Sequence, residues 1–240
     1  PISHKTDSMR KKPRRLGLFG GTFNPIHYGH LRSGEEVLEE VLEALGLDQV
    51  WFMPAAHPPH KGGVEVTPFA VRLAMTRLAV GRHPRLKVTD LEGHRPGKSY
   101  SVETLRLLRR ELGLEVELFF IVGMDAMMEI STWWHYQELF TLAHFVVLDR
   151  PGYDRSHLEG VLRREVHPDM AALPGGEGFR HPSGMRVIPL RTTLMDISAT
   201  KIRQLVSQGR SVRYLLPEAV RRFILKNMLY RDKGEDHEGR

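Results

Sequence analysis

The sequence predicts an α/β protein built on a parallel sheet that is wound with helices on both faces. Apolar runs of strand length alternate with segments of helical period along the whole chain. The run Val116–Val122 is nearly continuous in apolar residues, as strands buried on both faces require. Such sheets bind ligands at the carboxyl ends of their strands. We therefore expect the site at the turns that follow Phe19, Met53, Val122 and Leu148.

Each predicted strand is a short apolar run, and each predicted helix repeats apolar residues every three to four positions. The first helix is stopped by Gly46, since glycine commonly follows the last helical residue. The strands are expected over Arg15–Gly20, Gln49–Met53, Arg85–Thr89, Val116–Val122 and His144–Leu148. The helices are expected from about Gly29 to Leu45 and over Phe69–Val80, Val102–Leu112, Ser198–Ser207 and Pro217–Asn227.

The chain length of 240 residues fits one domain with a small appendage. The predicted division is a disordered lead-in over 1–14, a single domain over 15–230 and a disordered tail over 231–240. Within the domain, the core runs to about residue 195 and a small C-terminal helical part covers 196–230.

The composition narrows the class of protein. No run approaches the ~18 apolar residues of a membrane span, and the basic amino terminus lacks the apolar stretch of a secretory signal. The absence of cysteine excludes disulfides and thiolate metal sites, so we expect a cytoplasmic protein. The net charge of +6 fits an anionic partner. Because the basic residues are interspersed with acidic ones, a generally basic surface is favoured over nucleic-acid binding.

The turn after the first predicted strand carries the chemistry. Gly20 and Gly21 allow a sharp turn whose amides can approach an anionic ligand. His27 and His30 are three positions apart at the start of the first helix, where both rings can face the same way and the helix dipole favours negative charge. The dinucleotide pattern G-x-G-x-x-G and the zinc pattern H-E-x-x-H are both absent. Two surface histidines are the alternative, but their position after a glycine turn favours phosphate chemistry.

The segment Gly20–His30 (GGTFNPIHYGH) resembles the H-x-G-H signature of the nucleotidyltransferase superfamily. From about Leu16 to Tyr230 the chain resembles the bacterial nicotinate-nucleotide adenylyltransferase family. The resemblance implies a Rossmann-like nucleotidyltransferase fold that transfers AMP from ATP to nicotinate mononucleotide, giving deamido-NAD and pyrophosphate in NAD biosynthesis. The motifs that carry it, in family order, are Pro58–Lys61, Ser99–Ser101, Gly123 with Asp125, Thr132–Trp133, Arg150–Tyr153, Ile197–Arg203 and Leu215–Pro217.

The resemblance also implies roles for individual residues, with no protein metal site and with Mg²⁺ accompanying ATP. His27, His30 and Arg203 would stabilise the charge of the transition state. The residues that would bind ATP are Gly20, Gly21, Thr22, Phe23, His27, His30, Lys61, Gly123, Asp125, Ser198, Thr200 and Arg203. The residues that would bind the mononucleotide are His60, Tyr100, Ser101, Trp133 and Arg150.

Several of these residues have simpler alternatives. Ser198 fits a helix N-cap as well as a phosphate ligand, and the two roles are compatible. Lys61 is nearly as well explained as a solvated loop residue, and Arg150 as one half of a salt bridge. Trp133 could be a core residue, while its neighbour Trp134 is expected to point away from the ligand.

Other functions remain open at this stage. Phosphopantetheine adenylyltransferases usually carry threonine where this chain has His27, and archaeal nicotinamide-specific enzymes tend to carry arginine near the glycine turn. Use of both the nicotinate and the nicotinamide mononucleotide stays open, as does a non-catalytic nucleotide-binding role. The sequence also leaves a homo-oligomer open. Asn24 stands where many relatives carry aspartate and is assigned no chemistry, and residues 165–185 are predicted to form a long surface loop.

Overall fold

The computed structural model describes residues 14–44, 46–58 and 66–231. Their eight strands form one sheet in the order β3-β2-β1-β4-β5-β8-β7-β6. The pairs among β1 to β5, and the pair β5–β8, are parallel. The strands are β1 (Arg15–Gly21), β2 (Gln49–Pro54), β3 (Leu86–Val88), β4 (Glu117–Gly123), β5 (His144–Leu148), β6 (Ala171–Ala172), β7 (Phe179–Arg180) and β8 (Arg186–Leu190).

Helices cover both faces of this sheet, as the sequence predicts. All five predicted helices are present, and three further short helices lie between β4 and β6, where the sequence predicts none. The helices are α1 (Tyr28–Ala44), α2 (Phe69–Val80), α3 (Ser101–Leu112), α4 (Met124–Met128), α5 (Tyr136–Leu142), α6 (Leu158–Val161), α7 (Ala199–Ser207) and α8 (Glu218–Lys226). Within the described residues, no helix has the length and apolarity needed to cross a bilayer.

The parallel sheet that the sequence predicts carries an antiparallel edge that the sequence does not predict. β6 pairs with β7, and β7 with β8, in antiparallel fashion. Both short strands lie within 165–185, which therefore is not the plain surface loop that its proline and glycine content indicates. Most of the remaining backbone of residues 165–185 is neither strand nor α-helix. Within it, Gly178 adopts a φ of +126°, a conformation that residues with a side chain disfavour.

The first described residue, Arg14, is already tied to the sheet. Arg14, the last residue of the predicted lead-in, donates its amide to Asp48 Oδ2 at 2.6 Å and accepts a hydrogen bond from the Glu117 amide at 2.8 Å. Residues 1–13 and 232–240, like the predicted helix end at Leu45, lie outside the described residues.

The core has two halves because side chains alternate across the strands. In β4, Phe120 and Val122 pack in the half covered by α3 and α5, and Phe119 and Ile121 pack in the half covered by α1 and α7. All four are at most 6% exposed. This double burial explains the continuous apolar run of β4. Because β1, β2, β4 and β5 pair in parallel, their carboxyl ends lie at one edge of the sheet.

Candidate active site

A cavity of about 630 Å³ opens at the carboxyl ends of the parallel strands. This is the edge of the sheet where the sequence predicts the site, and the volume suits a small-molecule ligand. The cavity joins elements that are far apart in the chain. Its walls include Gly20, Gly21, Thr22, Phe23 and His30 from the first turn, Tyr100 and Ser101 at the start of α3, Gly123 and Asp125 after β4, then Trp133, Trp134 and Arg150.

The two histidines of the first turn stack on each other. Their ring centroids are 3.7 Å apart and the rings are nearly parallel. The His27 amide donates to His30 Nδ1 at 3.3 Å, which holds the second ring against the start of α1. His27 is 3% exposed, and its Nδ1 is buried without a hydrogen-bond partner among the described residues. Buried polar atoms in proteins are nearly always hydrogen-bonded, so this atom marks the pair as unusual.

Both imidazoles are neutral at physiological pH in this environment. Burial, followed by the charge of Arg150, lowers the pKa of His27 to about 4. Burial, followed by the charges of His27 and Arg150, holds the pKa of His30 well below its ordinary value. A neutral imidazole can still donate one N–H hydrogen bond. The pair therefore offers donors to an oxygen without adding fixed positive charge.

The glycines of the first turn leave room for an aromatic ring. A Cβ on Gly21 would lie 2.8 Å from the Phe23 ring, which is closer than side-chain carbons approach each other. The Phe23 ring in turn packs edge-on against His30, with centroids 5.0 Å apart. Phe23 has a φ of +47°, a left-handed conformation that costs a non-glycine residue about 1 kcal/mol. The turn is thus shaped so that Gly21 supports Phe23 and Phe23 supports His30.

The start of α7 meets the same turn. Arg203 Nη1 donates to the Asn24 carbonyl at 2.8 Å, and Arg203 Nη2 donates to Thr200 Oγ1 at 3.2 Å. Ser198 is the N-cap of α7 and accepts from the Lys201 amide at 3.1 Å, so the capping interpretation is confirmed. The residue of α7 that lines the cavity is Ala199. The α7 side chains are therefore positioned beside the turn, at the rim of the cavity.

The segment after β4 reaches the cavity through a close contact. Arg150 Nε lies 3.5 Å from Asp125 Oδ1, so the salt-bridge alternative for Arg150 is confirmed. A Cβ on Gly123 would collide with that Asp125 oxygen and lie 2.9 Å from Arg150 Nε. In this arrangement the ion pair occupies the space that a side chain at position 123 would need.

An aromatic group forms the far wall of the cavity. Trp133 is partly buried against the core and packs edge-on against Phe120. Trp134 is 43% exposed and its ring lies 4.8 Å from the Tyr100 ring. Both indoles line the cavity, so the expectation that Trp134 points away is wrong. The chain turns directly after the two indoles, at His135, which precedes α5 and adopts a φ of +51°.

Backbone hydrogen bonds fix the first residues of the loop after β2. The Ala55 amide donates to the Gly21 carbonyl at 2.8 Å. The His57 amide donates to Ser99 Oγ at 3.0 Å, and the Ser99 amide donates to the His57 carbonyl at 3.0 Å. The loop is thereby tied both to the glycine turn and to the segment before α3. The candidate ligands His60 and Lys61 lie outside the described residues.

Sequence reasoning missed three residues that organise this site. Arg72 of α2 is 1% exposed and donates to the carbonyls of Thr22 and Thr67, each at 2.7 Å. Glu92 accepts from the Ala56 amide and from Thr104 Oγ1. Tyr230, after α8, donates to Asn24 Oδ1 at 2.8 Å. One signal was available: Arg72 interrupts the apolar face of a predicted helix, and a buried charge needs partners.

Comparison with known proteins agrees with this geometry. The cytidylyltransferase-like family matches residues 18–205. A probable nicotinate-nucleotide adenylyltransferase of Geobacter sulfurreducens is 42% identical over 220 residues, covering 92% of this chain and all of that protein. The protein of the same name from Syntrophotalea carbinolica is 45% identical over 219 residues, covering 91% and 98% of the two chains.

The fold has matches among solved structures. A Plasmodium falciparum nicotinic acid mononucleotide adenylyltransferase complexed with NaAD superposes with a TM-score of 0.68 at 17% identity, covering 90% of this chain and 97% of that one. At that identity the likeness supports the fold alone. The relatives named above are more than 40% identical to this chain over nearly their full length, and the family match covers residues 18–205. The chain therefore belongs to the nicotinate-nucleotide adenylyltransferase family of cytidylyltransferase-like proteins.

Proposed function

We propose that this protein transfers AMP from ATP to nicotinate mononucleotide, releasing pyrophosphate and forming deamido-NAD. The 5′-phosphate of the mononucleotide attacks the α-phosphorus of ATP, and the bond from that phosphorus to the bridging oxygen of pyrophosphate breaks. The family of the relatives described above supports this reaction. The observation that carries it here is that one cavity holds both the glycine turn with His30 and the aromatic wall with Trp133.

The phosphate end of the cavity fits the requirements of such a transfer. Phosphoryl transfer needs in-line placement and charge stabilisation more than a covalent nucleophile. The stacked pair of His27 and His30 sits at the N-terminus of α1, where amides and the helix dipole favour anionic oxygens. We assign to the neutral rings the role of hydrogen-bond donors to the α-phosphate and the leaving pyrophosphate. The buried Nδ1 of His27 lacks a protein partner among the described residues, so a ligand contact by this atom would displace no protein hydrogen bond.

The remaining ATP contacts come from three segments. Gly20 and Gly21 with Thr22 and Phe23 line the cavity where backbone amides can meet phosphate oxygens. We assign Ser198, Thr200 and Arg203 to the β- and γ-phosphates, since Arg203 carries a permanent charge and its side chain is held against the glycine turn by the Asn24 carbonyl. We assign Gly123 and Asp125 to a ribose. Lys61 is proposed from the sequence alone.

The mononucleotide end is proposed from aromatic and helical features. Trp133 offers a flat face for the nicotinate ring, and Trp134 against Tyr100 extends the same wall. Ser101 is the first residue of α3, and the first-turn amides of a helix have no acceptor within it. These amides and hydroxyls are suited to a carboxylate, which favours nicotinate over nicotinamide. Arg150 carries positive charge for the mononucleotide phosphate, and His60 is proposed from the sequence alone.

We propose that ATP enters as its magnesium complex. Magnesium is usually held by substrate phosphates and water with one or two carboxylates. Three carboxylates line the cavity, namely Glu92, Asp125 and Glu129. Asp125 already pairs with Arg150, and Glu92 already accepts two hydrogen bonds from the protein. In this proposal the ion arrives on the substrate phosphates.

The direct test is pyrophosphate release from MgATP with three acceptors in parallel. We expect release with nicotinate mononucleotide, at least about tenfold less with nicotinamide mononucleotide, because the carboxylate is replaced by a neutral amide, and none with phosphopantetheine. Comparable rates with the two mononucleotides would establish dual specificity instead. No release with any acceptor would contradict an enzymatic function and leave nucleotide binding, which ATP titration of the same sample would measure.

A further inference from the structure

We propose that Tyr230, near the C-terminal end of the described chain, is a positioning residue for the phosphate end of the site and acts through Asn24. The inference rests on the proposed AMP transfer. It adds a role for a segment, residues 228–231, that contributes no residue to the cavity wall.

The contact is a single hydrogen bond to a buried side chain. Tyr230 Oη donates to Asn24 Oδ1 at 2.8 Å, and Asn24 is 2% exposed. The Asn24 carbonyl accepts from Arg203 Nη1. Asn24 therefore receives one bond from each of two residues that are about 180 and 206 positions away in the chain.

Asn24 lies at the centre of the turn that bears the stacked histidines. Phe23 precedes it, and the Phe23 ring packs edge-on against His30. His27 follows three residues later and stacks on His30. A shift of Asn24 would therefore move His27 through the backbone that joins them, and would move His30 through the Phe23 ring that packs against it.

The phenol is held at this place from several directions. The Thr67 side chain lies beside the same phenol, and Arg72 donates to the carbonyls of both Thr67 and Thr22. The Tyr230 ring packs against the core half that contains Phe23 and Ile26. Burial raises the pKa of Tyr230 to about 12, although Arg72 and Arg203 lie near and oppose the shift. The hydroxyl consequently remains protonated and is a donor to Asn24 throughout the working pH range.

The backbone after α8 adopts unfavourable conformations to deliver this ring. Met228 and Tyr230 have φ values of +50° and +60°. Such left-handed conformations cost non-glycine residues about 1–2 kcal/mol each and persist where surrounding contacts hold them. The Leu229 amide donates to the Ile224 carbonyl at 3.0 Å, which folds the chain back under α8. Met228 and Tyr230 thus adopt strained conformations that bring the Tyr230 hydroxyl to Asn24.

The test removes only the hydroxyl, by Tyr230→Phe. We expect kcat for pyrophosphate release to fall about 5- to 30-fold while KM for ATP changes by less than about twofold, because misplaced histidines lose contacts made in the transition state. The matched control is Tyr214→Phe, since Tyr214 is 82% exposed and should keep the wild-type kcat. A Tyr230→Phe protein with a lower melting temperature but wild-type kcat, assayed well below that temperature, would assign the residue a structural role and overturn the proposal.

A double-mutant cycle tests the route through Asn24. In an Asn24→Ala background, Tyr230→Phe should cost less than about twofold in kcat, because its acceptor is gone. If Asn24→Ala does not fold, Asn24→Asp replaces it, because aspartate keeps a side-chain oxygen as the acceptor. In the Asn24→Asp background, Tyr230→Phe should again lower kcat at least fivefold. Equal losses in the presence and absence of the acceptor would overturn the proposal. If the wild-type protein itself releases no pyrophosphate, the proposed function fails first, and the two failures are thereby distinguished.

Discussion

The two ends of the cavity differ in how their side chains are held. At the phosphate end, His27 and Asn24 are 3% and 2% exposed, and backbone turns, helix starts and buried hydrogen bonds set their positions. At the mononucleotide end, the Arg150 side chain is 42% exposed, and Trp134 is 43% exposed. Because the His27 and Asn24 side chains of the first end are buried, we expect that end to be rigid before any ligand arrives, whereas the second end is built from groups that solvent still reaches.

This difference fits a division of labour in the proposed reaction. Charge that develops on transferring phosphates is best stabilised by donors whose positions are already fixed, since no reorganisation is then needed. Recognition of the acceptor ring depends on stacking and on a few polar contacts, which exposed side chains can provide. We therefore expect changes at the phosphate end to lower kcat and changes at the mononucleotide end to raise KM for the acceptor.

The largest expected effect is that of His27→Ala at the phosphate end. Loss of one preorganised donor typically costs about 3–4 kcal/mol of barrier, so kcat should fall by roughly 100- to 1000-fold with little change in ATP affinity. Single-turnover kinetics, together with ATP titration, measure both quantities. If His27→Ala keeps the wild-type kcat, or is slower only because it binds ATP more weakly, His27 does not stabilise the transition state. The proposed difference between the two ends of the cavity would then be contradicted.

The burial of the histidines also predicts a pH dependence of stability. The folded-state pKa of His27 is about 4, below the ~6.5 of an unfolded chain, so the unfolded state binds more protons between these values. Stability is therefore present in full above about pH 6.5 and is lost as the pH falls towards 4. This single group contributes a loss of about 3 kcal/mol.

Urea unfolding at pH 7 and pH 4, compared between wild type and His27→Ala, isolates that contribution. The variant should lose less stability than the wild type over this interval. His144, whose pKa is also lowered to about 4 by burial and by Arg186, is present in both proteins and cancels. Parallel pH profiles for the two proteins would show that His27 is not desolvated in solution.

A smaller effect should follow from adding one methyl group at Gly21. In Gly21→Ala the new Cβ would lie 2.8 Å from the Phe23 ring, so the ring must shift towards His30. Overpacking of this kind costs about 1–3 kcal/mol, and we expect a comparable loss in kcat, about 5- to 100-fold. Gly160→Ala is the matched control, because a Cβ there meets nothing within 4 Å. Wild-type kcat in Gly21→Ala would show that the turn tolerates movement and is not the rigid end.

The smallest effect is expected at the mononucleotide end. Stacking of a heterocycle on an aromatic side chain is worth about 1–3 kcal/mol. For this partly exposed wall we expect the lower part of that range, so Trp133→Ala should raise KM for nicotinate mononucleotide about 5- to 30-fold and leave KM for ATP within twofold. Trp134→Ala, at the more exposed neighbour, should cost less. A larger loss in Trp134→Ala would exchange the roles of the two indoles, and circular dichroism of both variants checks that the fold is kept.

Local signals made much of this molecule predictable. The strands β1, β2, β4 and β5 and five helices follow from apolar periodicity, since burial on one or two faces dictates which residue types occupy each position. The glycine turn followed by His27 and His30 marked the phosphate end because backbone approach and helix starts have short sequence signatures. The strands β6, β7 and β8 escaped prediction. A two-residue strand such as β6 or β7 gains its hydrogen bonds from its neighbour and carries no periodic pattern of its own.

By itself, the sequence determined the fold class, the edge of the sheet that holds the site and the motif residues around it. The tertiary structure alone decided that Trp134 faces the cavity beside Trp133, that Arg150 pairs with Asp125, and that Arg72 and Tyr230 hold the loops of the phosphate end. The physical reason is that these are contacts between residues far apart in the chain. Their partners, distances and burial are set by how the elements pack, and no local pattern encodes them.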